Sequence, residues 1–316
     1  MEGLLDKRLL FVTGKGGVGK STVAAALGLV AARRGLRTIV AEIAGQDRLA
    51  RALARDGAGG GFEETELAPG LSTISIDPQH ALNEYLRLQM PARPMADLLT
   101  SSRMFQYFTA ATPGMRELVT IGKVWELAQL ERRTRGAAPY DLAIVDAPAT
   151  GHGLGLLNTP STFADVARVG PIARQARMID RTLHDPKFTG VVIVTHATEM
   201  PVTETLRLVE LLHEELSVAP AAVIVNAVSV DRFSDRHVRS IAKALRDAPS
   251  PHARAALRAA LSQHTRAHIQ AEQLERLRAG LDDEPIVLPF AFSANGERAV
   301  FEHLADTLSD RVRVAA

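Results

Sequence analysis

The chain has 316 residues, 37 Lys+Arg against 36 Asp+Glu, and a formal net charge of +1. This argues against a dedicated nucleic-acid binder, whose affinity rests on neutralising phosphates. Cysteine is absent, which excludes disulfides, thiolate metal sites, iron–sulfur clusters and cysteine nucleophiles together. With 46% hydrophobic and 23% charged residues the composition is an ordinary globular mix that supports a sizeable core, read here as a single domain over residues 1–316.

Met1 to Lys7 is too short and too charged for a secretory signal. Leu9-Leu10-Phe11-Val12 is the first strand-length apolar run. A helix-period segment follows from Lys20 to Arg34, with Gly35 where a helix C-terminal glycine belongs. Thr38-Ile39-Val40-Ala41 is the next run, Gly57 to Gly61 reads as a flexible loop, and Leu71 to Ile76 alternates enough to read as an edge strand. Residues from about 82 to 135 carry no strand pattern and read as a helical insertion. Leu142-Ala143-Ile144-Val145 follows, then a second helical insertion over residues 161–184. Val191-Val192-Ile193-Val194, Ala222-Val223-Ile224-Val225 and Ile286-Val287-Leu288 are further strands, with a helical stretch from Ala253 to Ala279 ending at Gly280. Continuous apolar runs suit strands buried on both faces, and helical spacers suit parallel pairing with right-handed crossovers. The expected fold is therefore α/β, a doubly wound and mostly parallel sheet with helical insertions. The longest apolar run, Gly190 to His196, falls far short of the ~20 residues that span a membrane, so a cytoplasmic protein is expected.

Gly14-Lys15-Gly16-Gly17-Val18-Gly19-Lys20-Ser21-Thr22 fits the phosphate-loop pattern, between a strand and a helix as that pattern requires. Glycines let backbone N–H groups curl around phosphate oxygens, and the helix N-terminus adds positive potential. Lys20 reaches the β/γ-phosphates and Ser21 offers a hydroxyl to Mg²⁺. Asp146 ends the strand at Leu142–Val145, where a carboxylate beside a phosphate loop supports the metal. A nucleotide's phosphates and Mg²⁺ are the expected ligands of the motif.

The second loop lysine, Lys15, is foreign to the ordinary recipe, and here the chain resembles the deviant phosphate-loop ATPases, which implies ATP as the nucleotide. Within them, Asp146-Ala147-Pro148-Ala149-Thr150-Gly151-His152, followed by Leu156-Leu157, is similar to the second switch segment of the ArsA and guided-entry (Get) branch. The resemblance implies a homodimer or a heterodimer with a paralogue, in which Lys15 reaches the partner's nucleotide; a solvated lysine near phosphate is the alternative. It implies a conformational relay for His152 in its glycine-flanked loop, against a plain structural histidine. It also implies that Asn226, at the end of Val223-Ile224-Val225, reads adenine rather than capping a turn, and that the loop at Leu288-Pro289-Phe290 closes over the base.

The chain departs from that branch after its second strand, where Ala41-Glu42-Ile43-Ala44-Gly45-Gln46-Asp47 lacks the usual Asp-Pro that positions the attacking water. Glu42, Gln46 and Asp47 are the candidates in its place. Asp77-Pro78 comes after a different strand and reads as a helix entry. The ten histidines show no tight spacing; His264 and His268, four apart on one helix face, read as solvent-facing. Met90, Met95, Met104, Met115 and Met178 all fall in helical insertions, and with Tyr85, Phe105 and Phe108 they suit an adaptable apolar surface. The resemblance then implies an ATP hydrolase with Lys15, Lys20 and Asp146 as its catalytic groups. Its Mg-ATP-driven dimer handles a hydrophobic client or a membrane-protein partner, through which it reaches the membrane. An ATPase subunit energising anion efflux, or a weakly catalytic regulatory subunit, are the alternatives.

Overall fold

Successive side chains of a strand point to opposite faces, and the first strand shows what this builds. Along β1 (Leu9–Thr13), Leu9 and Phe11 enter one apolar layer while Leu10 and Val12 enter the other. The same division holds along β2 (Thr38–Glu42), β5 (Leu142–Asp146), β6 (Thr189–His196) and β7 (Ala222–Val228). These strands need cover on both sides, which is why their runs are continuously apolar. The computed structural model describes residues 3–43, 47–53, 61–89, 102, 112, 114–134, 136–167 and 170–312.

Among the described residues eight strands form one sheet in the order β3-β4-β2-β5-β1-β6-β7-β8, with β3 (Thr65–Ala68), β4 (Leu71–Ser75) and β8 (Ile286–Pro289) completing the set. Every pairing is parallel except β3 with β4. One face is covered by α1 (Lys20–Arg33), α2 (Arg48–Leu53) and α10 (Glu297–Ser309). The other is covered by α3 (Pro78–Gln89), α4 (Met115–Leu127), α5 (Thr150–Ala167), α6 (Pro171–Leu183), α7 (Glu199–Leu216) and α9 (Pro251–Ala279). The short helix α8 (Asp235–Arg246) packs on α9 and buries none of its own residues. Among the described residues no helix is long and apolar enough to cross a membrane.

Helix α1 lies close to the sheet because its facing residues are small. A Cβ on Gly28 would come within 2.9 Å of Val40 Cγ2 and 3.0 Å of Leu71 Cδ1. Residues Val23 to Ala31 are all buried, so α1 is enclosed between the sheet and α10.

Two expectations need correction. The stretch read as an edge strand, β4, is interior: it pairs with β2 on one side and β3 on the other. The edge is β3, folded back antiparallel through a tight turn in which Gly70 holds φ 79°. Its Thr65-Glu66-Leu67-Ala68 is too short and too polar to show a strand pattern. The segment holding Thr150-Gly151-His152 is not a loop but the first turn of α5, and helix extends from there through the start of the second insertion. Of the first insertion, Gln89's neighbours onward (90–101, 103–111, 113 and 135) lie outside the described residues, and with them Met90, Met95, Met104, Phe105 and Phe108. Gly57 to Gly60 and Gln46 also lie outside.

Candidate nucleotide-binding site

β1 sits where the strand order reverses, and the loop leaving its carboxyl end enters the crevice where open α/β sheets bind ligands. The loop's course needs glycine at fixed points. Gly14 (φ 140°) passes so close to β6 that a Cβ would lie 2.1 Å from the Val194 carbonyl oxygen. Gly19 (φ 89°) abuts Asn226, where a Cβ would lie 2.3 Å from Nδ2. At Gly16 and Gly17 a Cβ would meet nothing within 4 Å, so the backbone there is open to a ligand. Gly19 caps α1 without a side-chain hydrogen bond, leaving the first-turn N–H groups to face the loop.

Three side chains converge at this end. Lys20 Nζ donates to the carbonyls of Gly14 and Lys15, at 3.1 and 3.2 Å, which holds its ammonium over the loop. Ser21 Oγ donates to Asp146 Oδ2 at 2.5 Å. Asp146 lies in register with Val12 of β1 on one side and Glu42 of β2 on the other. Burial lowers the Lys20 ammonium from the ordinary lysine value, opposed by the Asp146 charge. Burial also lifts the Asp146 carboxyl above its ordinary value, against the Ser21 hydrogen bond and the charges of Lys20 and Arg48. Each charged form is thus under-solvated, and each gains from a ligand of opposite charge: phosphate for Lys20, a cation for Asp146. The hydroxyl and carboxylate oxygens side by side are a hard donor set that fits Mg²⁺.

The switch segment touches the loop directly. Thr150 N donates to Gly14 O at 3.2 Å, and Gly153 packs so tightly on the end of β1 that a Cβ would lie 2.6 Å from Thr13 Oγ1. His152 is exposed in the first turn of α5. Lys15 forms an ion pair with Glu204 of α7 in the same chain, both side chains being part-exposed. Val18 is buried, while Thr22 is half-buried in the first turn of α1.

Asn226 is placed differently from a free base reader. It is buried at the end of β7, its Nδ2 donates to Val18 O at 2.9 Å, and its Oδ1 accepts from Ala227 N at 2.9 Å. The amide therefore clamps the phosphate loop. His196 is its register partner on β6; burial lowers its pKa, against the influence of the Val18 backbone. The clamping role of Asn226 toward Val18 was missed, because it joins residues far apart in sequence. Pro289 ends β8, and Phe290, whose N–H donates to Val228 O, is exposed beside it.

The candidates for orienting water separate. Both carboxylate oxygens of Glu42 accept from α2, from Arg48 N at 2.9 Å and Leu49 N at 3.3 Å, so Glu42 is a buried helix cap. Asp47, at φ 43°, accepts from Gly61 N with one carboxylate oxygen. Asp77 caps α3 through His80 N, with Pro78 as the first helical residue, which is the helix entry expected.

The sequence comparisons agree with this geometry. The family model ArsA_ATPase, described as Anion-transporting ATPase, matches residues 7–179 and 166–245. That span holds the phosphate loop, Asp146 and Asn226, while Pro289 and Phe290 lie beyond it. ATPase BagA of Mycobacterium tuberculosis is 30% identical over 252 residues, covering 78% of this chain and 72% of that protein. The Arsenical pump-driving ATPase of Escherichia coli is 28% identical over 214 residues, 63% of this chain and 36% of that one. A Putative arsenical pump-driving ATPase of Halobacterium salinarum is 27% identical over 243 residues, 73% and 37% of the two chains. A phosphate loop at the switch point, matched continuously from β1 almost to the end of α8, settles the assignment: the chain belongs to the ArsA ATPase family and is an ATP-hydrolysing enzyme.

Proposed function

We propose that this ATPase is a Mg²⁺-ATP-driven dimer switch, homomeric or paired with a paralogue, that handles a hydrophobic client or membrane-protein partner. The reading places it in the cytoplasm, meeting the membrane through that partner. The observation that carries it is the hydrogen bond from Thr150 N to Gly14 O, because it couples the first turn of α5 to the loop that wraps the phosphates. α5 packs in turn on α4 and α6. Among the described residues, a cavity of about 90 Å³ lies between α3, α4 and α6, lined by Leu82, Tyr85, Leu88, Met115, Leu118 and Ile179. A change at the phosphates therefore has a short path to an apolar helical layer.

In this reading Gly14–Thr22 wraps the phosphates, Lys20 neutralises the β/γ-oxygens, and Ser21 and Asp146 hold Mg²⁺. When bound, the ion offsets negative charge on the transferring phosphoryl group. Asn226 keeps the loop in shape with one amide N–H and faces adenine with what remains of its hydrogen-bonding capacity. The exposed Phe290 ring supplies an apolar face for the base, next to Pro289. Lys15, released from Glu204, reaches the partner's nucleotide.

The test is solution mass, and capture of a transmembrane-segment peptide, with ATP, with ADP, and in the Asp146→Ala variant. A dimer and peptide capture that follow the nucleotide, with turnover lost in the variant, support the reading. Capture indifferent to nucleotide overturns it. The names of the pump-driving relatives favour a second reading, an ATPase subunit energising anion efflux. With no cysteine in the chain, stimulation of turnover by an oxyanion would have to work without thiolates, and that stimulation separates the two.

A further inference from the structure

Away from the nucleotide end, the loop between β7 and α8 lies against α9, and one carboxylate there meets two imidazoles. His264 Nδ1 stands 3.2 Å from Asp231 Oδ1, and His268 Nε2 stands 3.6 Å from Asp231 Oδ2. The two rings are edge to face with centroids 4.2 Å apart. Together these are the three-residue His/carboxylate group whose donor atoms all lie within 4.8 Å of one another. Ligands at 2.0–2.1 Å from a tetrahedral ion stand about 3.3 Å from each other; both nitrogen–oxygen spacings lie near that value, and all three donors fall within 4.8 Å of one another. An i, i+4 histidine pair on a helix presents both rings on one face, a recurrent way to hold a metal.

The arrangement is built, not incidental to a drifting loop. The buried Gln270, two residues beyond His268, accepts from Ser229 N at 2.8 Å and donates to Ala227 O at 3.2 Å. It ties the end of β7 and the first residue of the loop to α9. Asp231 then closes a turn by accepting from Phe233 N at 3.2 Å, which fixes its carboxylate towards the helix. We propose that Asp231, His264 and His268 form a binding site for a borderline divalent transition metal of the Zn²⁺ type. Two imidazole nitrogens and a carboxylate oxygen suit that class and not Mg²⁺ or Ca²⁺, which want oxygen alone. His264 is largely covered, while His268 and Asp231 are about half exposed, so an ion can enter from solvent and complete its shell with water. Of the two histidines read as solvent-facing, His268 is exposed and His264 is not. A metal here staples the β7–α8 loop to α9, five residues from the amide that clamps the phosphate loop.

The experiment is calorimetric titration of the full chain, tag-free and stripped with chelator, with ZnCl₂ and separately MgCl₂. His268→Ala, Asp231→Asn and, as a control on the same helix, His252→Ala are run beside it. The result expected is one saturable Zn²⁺ equivalent, a weakening of about tenfold or more in the first two variants, full retention in His252→Ala, and no Mg²⁺ binding at this site. Melting without metal checks that the variants fold. Co²⁺ titration gives a second readout: ligand-field bands present in the native chain and lost in His268→Ala. Absence of saturable Zn²⁺ binding overturns the proposal, as does binding of native strength in both ligand variants or an equal loss in all three.

Discussion

Replacing Asn226 by alanine tests whether its amide serves the loop or only the base. The change removes the Nδ2–Val18 bond and leaves a buried carbonyl beside an emptied space against Gly19. A neutral hydrogen bond contributes about 1 kcal/mol, and stranding its buried partner adds about 1–3 kcal/mol. The bond to Ala227 N is local and half-exposed, so water replaces it at little loss. The expected destabilisation is then about 2–4 kcal/mol. At about 2.1 cal/mol/K per residue, a 316-residue chain has an unfolding entropy of ~0.7 kcal/mol/K, so Tm falls by ~3–6 °C. The assay is scanning calorimetry without nucleotide, paired with binding of ATP and of tripolyphosphate, which has no base. A loop clamp predicts that the variant melts early and loses affinity for both. A variant that melts within about 1 °C of the native chain, keeps tripolyphosphate and loses only ATP would refute the clamp and leave Asn226 a base reader.

Gly14→Ala puts a Cβ 2.1 Å from the Val194 carbonyl at a φ of 140°; the loop is displaced, stability falls by about 2–4 kcal/mol, and denaturant titration with ATP-binding assays will show both losses. Arg132, whose side chain is fully covered, bridges Glu64 and Glu126, so Arg132→Met strands buried carboxylates and costs about 3–5 kcal/mol by urea unfolding. Burial pushes Glu126 and Glu64 up, but hydrogen bonds from Arg132 and the charges of Arg132 and Lys123 outweigh it and hold both below the ordinary 4.5. Their stabilisation is present above that value and drains away as pH falls through the depressed folded values. Glu126→Gln should flatten the acid limb of the stability curve; an unchanged limb contradicts the network's role. Glu204→Gln breaks a part-exposed ion pair that contributes about 0–1 kcal/mol, so melting barely moves, while the freed Lys15 raises the ATP-dependent dimer fraction several-fold by sedimentation. No change in that fraction would detach this pair from dimer formation.

What could be read from the sequence was what neighbouring residues decide among themselves. The phosphate loop was legible because its glycines, Lys20 and Ser21 are contiguous and their conformations are local. The central strands were legible because burial on both faces leaves a continuous apolar run. Strand β3 was not, because its four residues hold their place through a partner strand and a turn at Gly70, not through their own pattern. Asn226 was found but half understood: its contact with Val18 joins residues more than two hundred apart. Glu42 looked like a free acid beside a missing Asp-Pro, and only the fold brings α2 back to occupy both its oxygens. The pair at His264 and His268 lacked its third member for the same reason, since Asp231 reaches it only through the course of a loop.

The pairing of β1 has a consequence for how the chain is made. Its neighbours, β5 and β6, are registered to Leu9 through Ala143 and Thr189. At ribosomal speeds of roughly 5–20 residues per second, Leu9–Thr13 therefore waits roughly 10–40 s for its second flank to emerge. Until β5 emerges an uncharged, β-prone segment carries both backbone edges unsatisfied, and one edge stays open until β6 follows, the condition under which nascent chains join one another. The strand that carries the phosphate loop is thus a segment in need of chaperone shelter during synthesis until β6 has emerged.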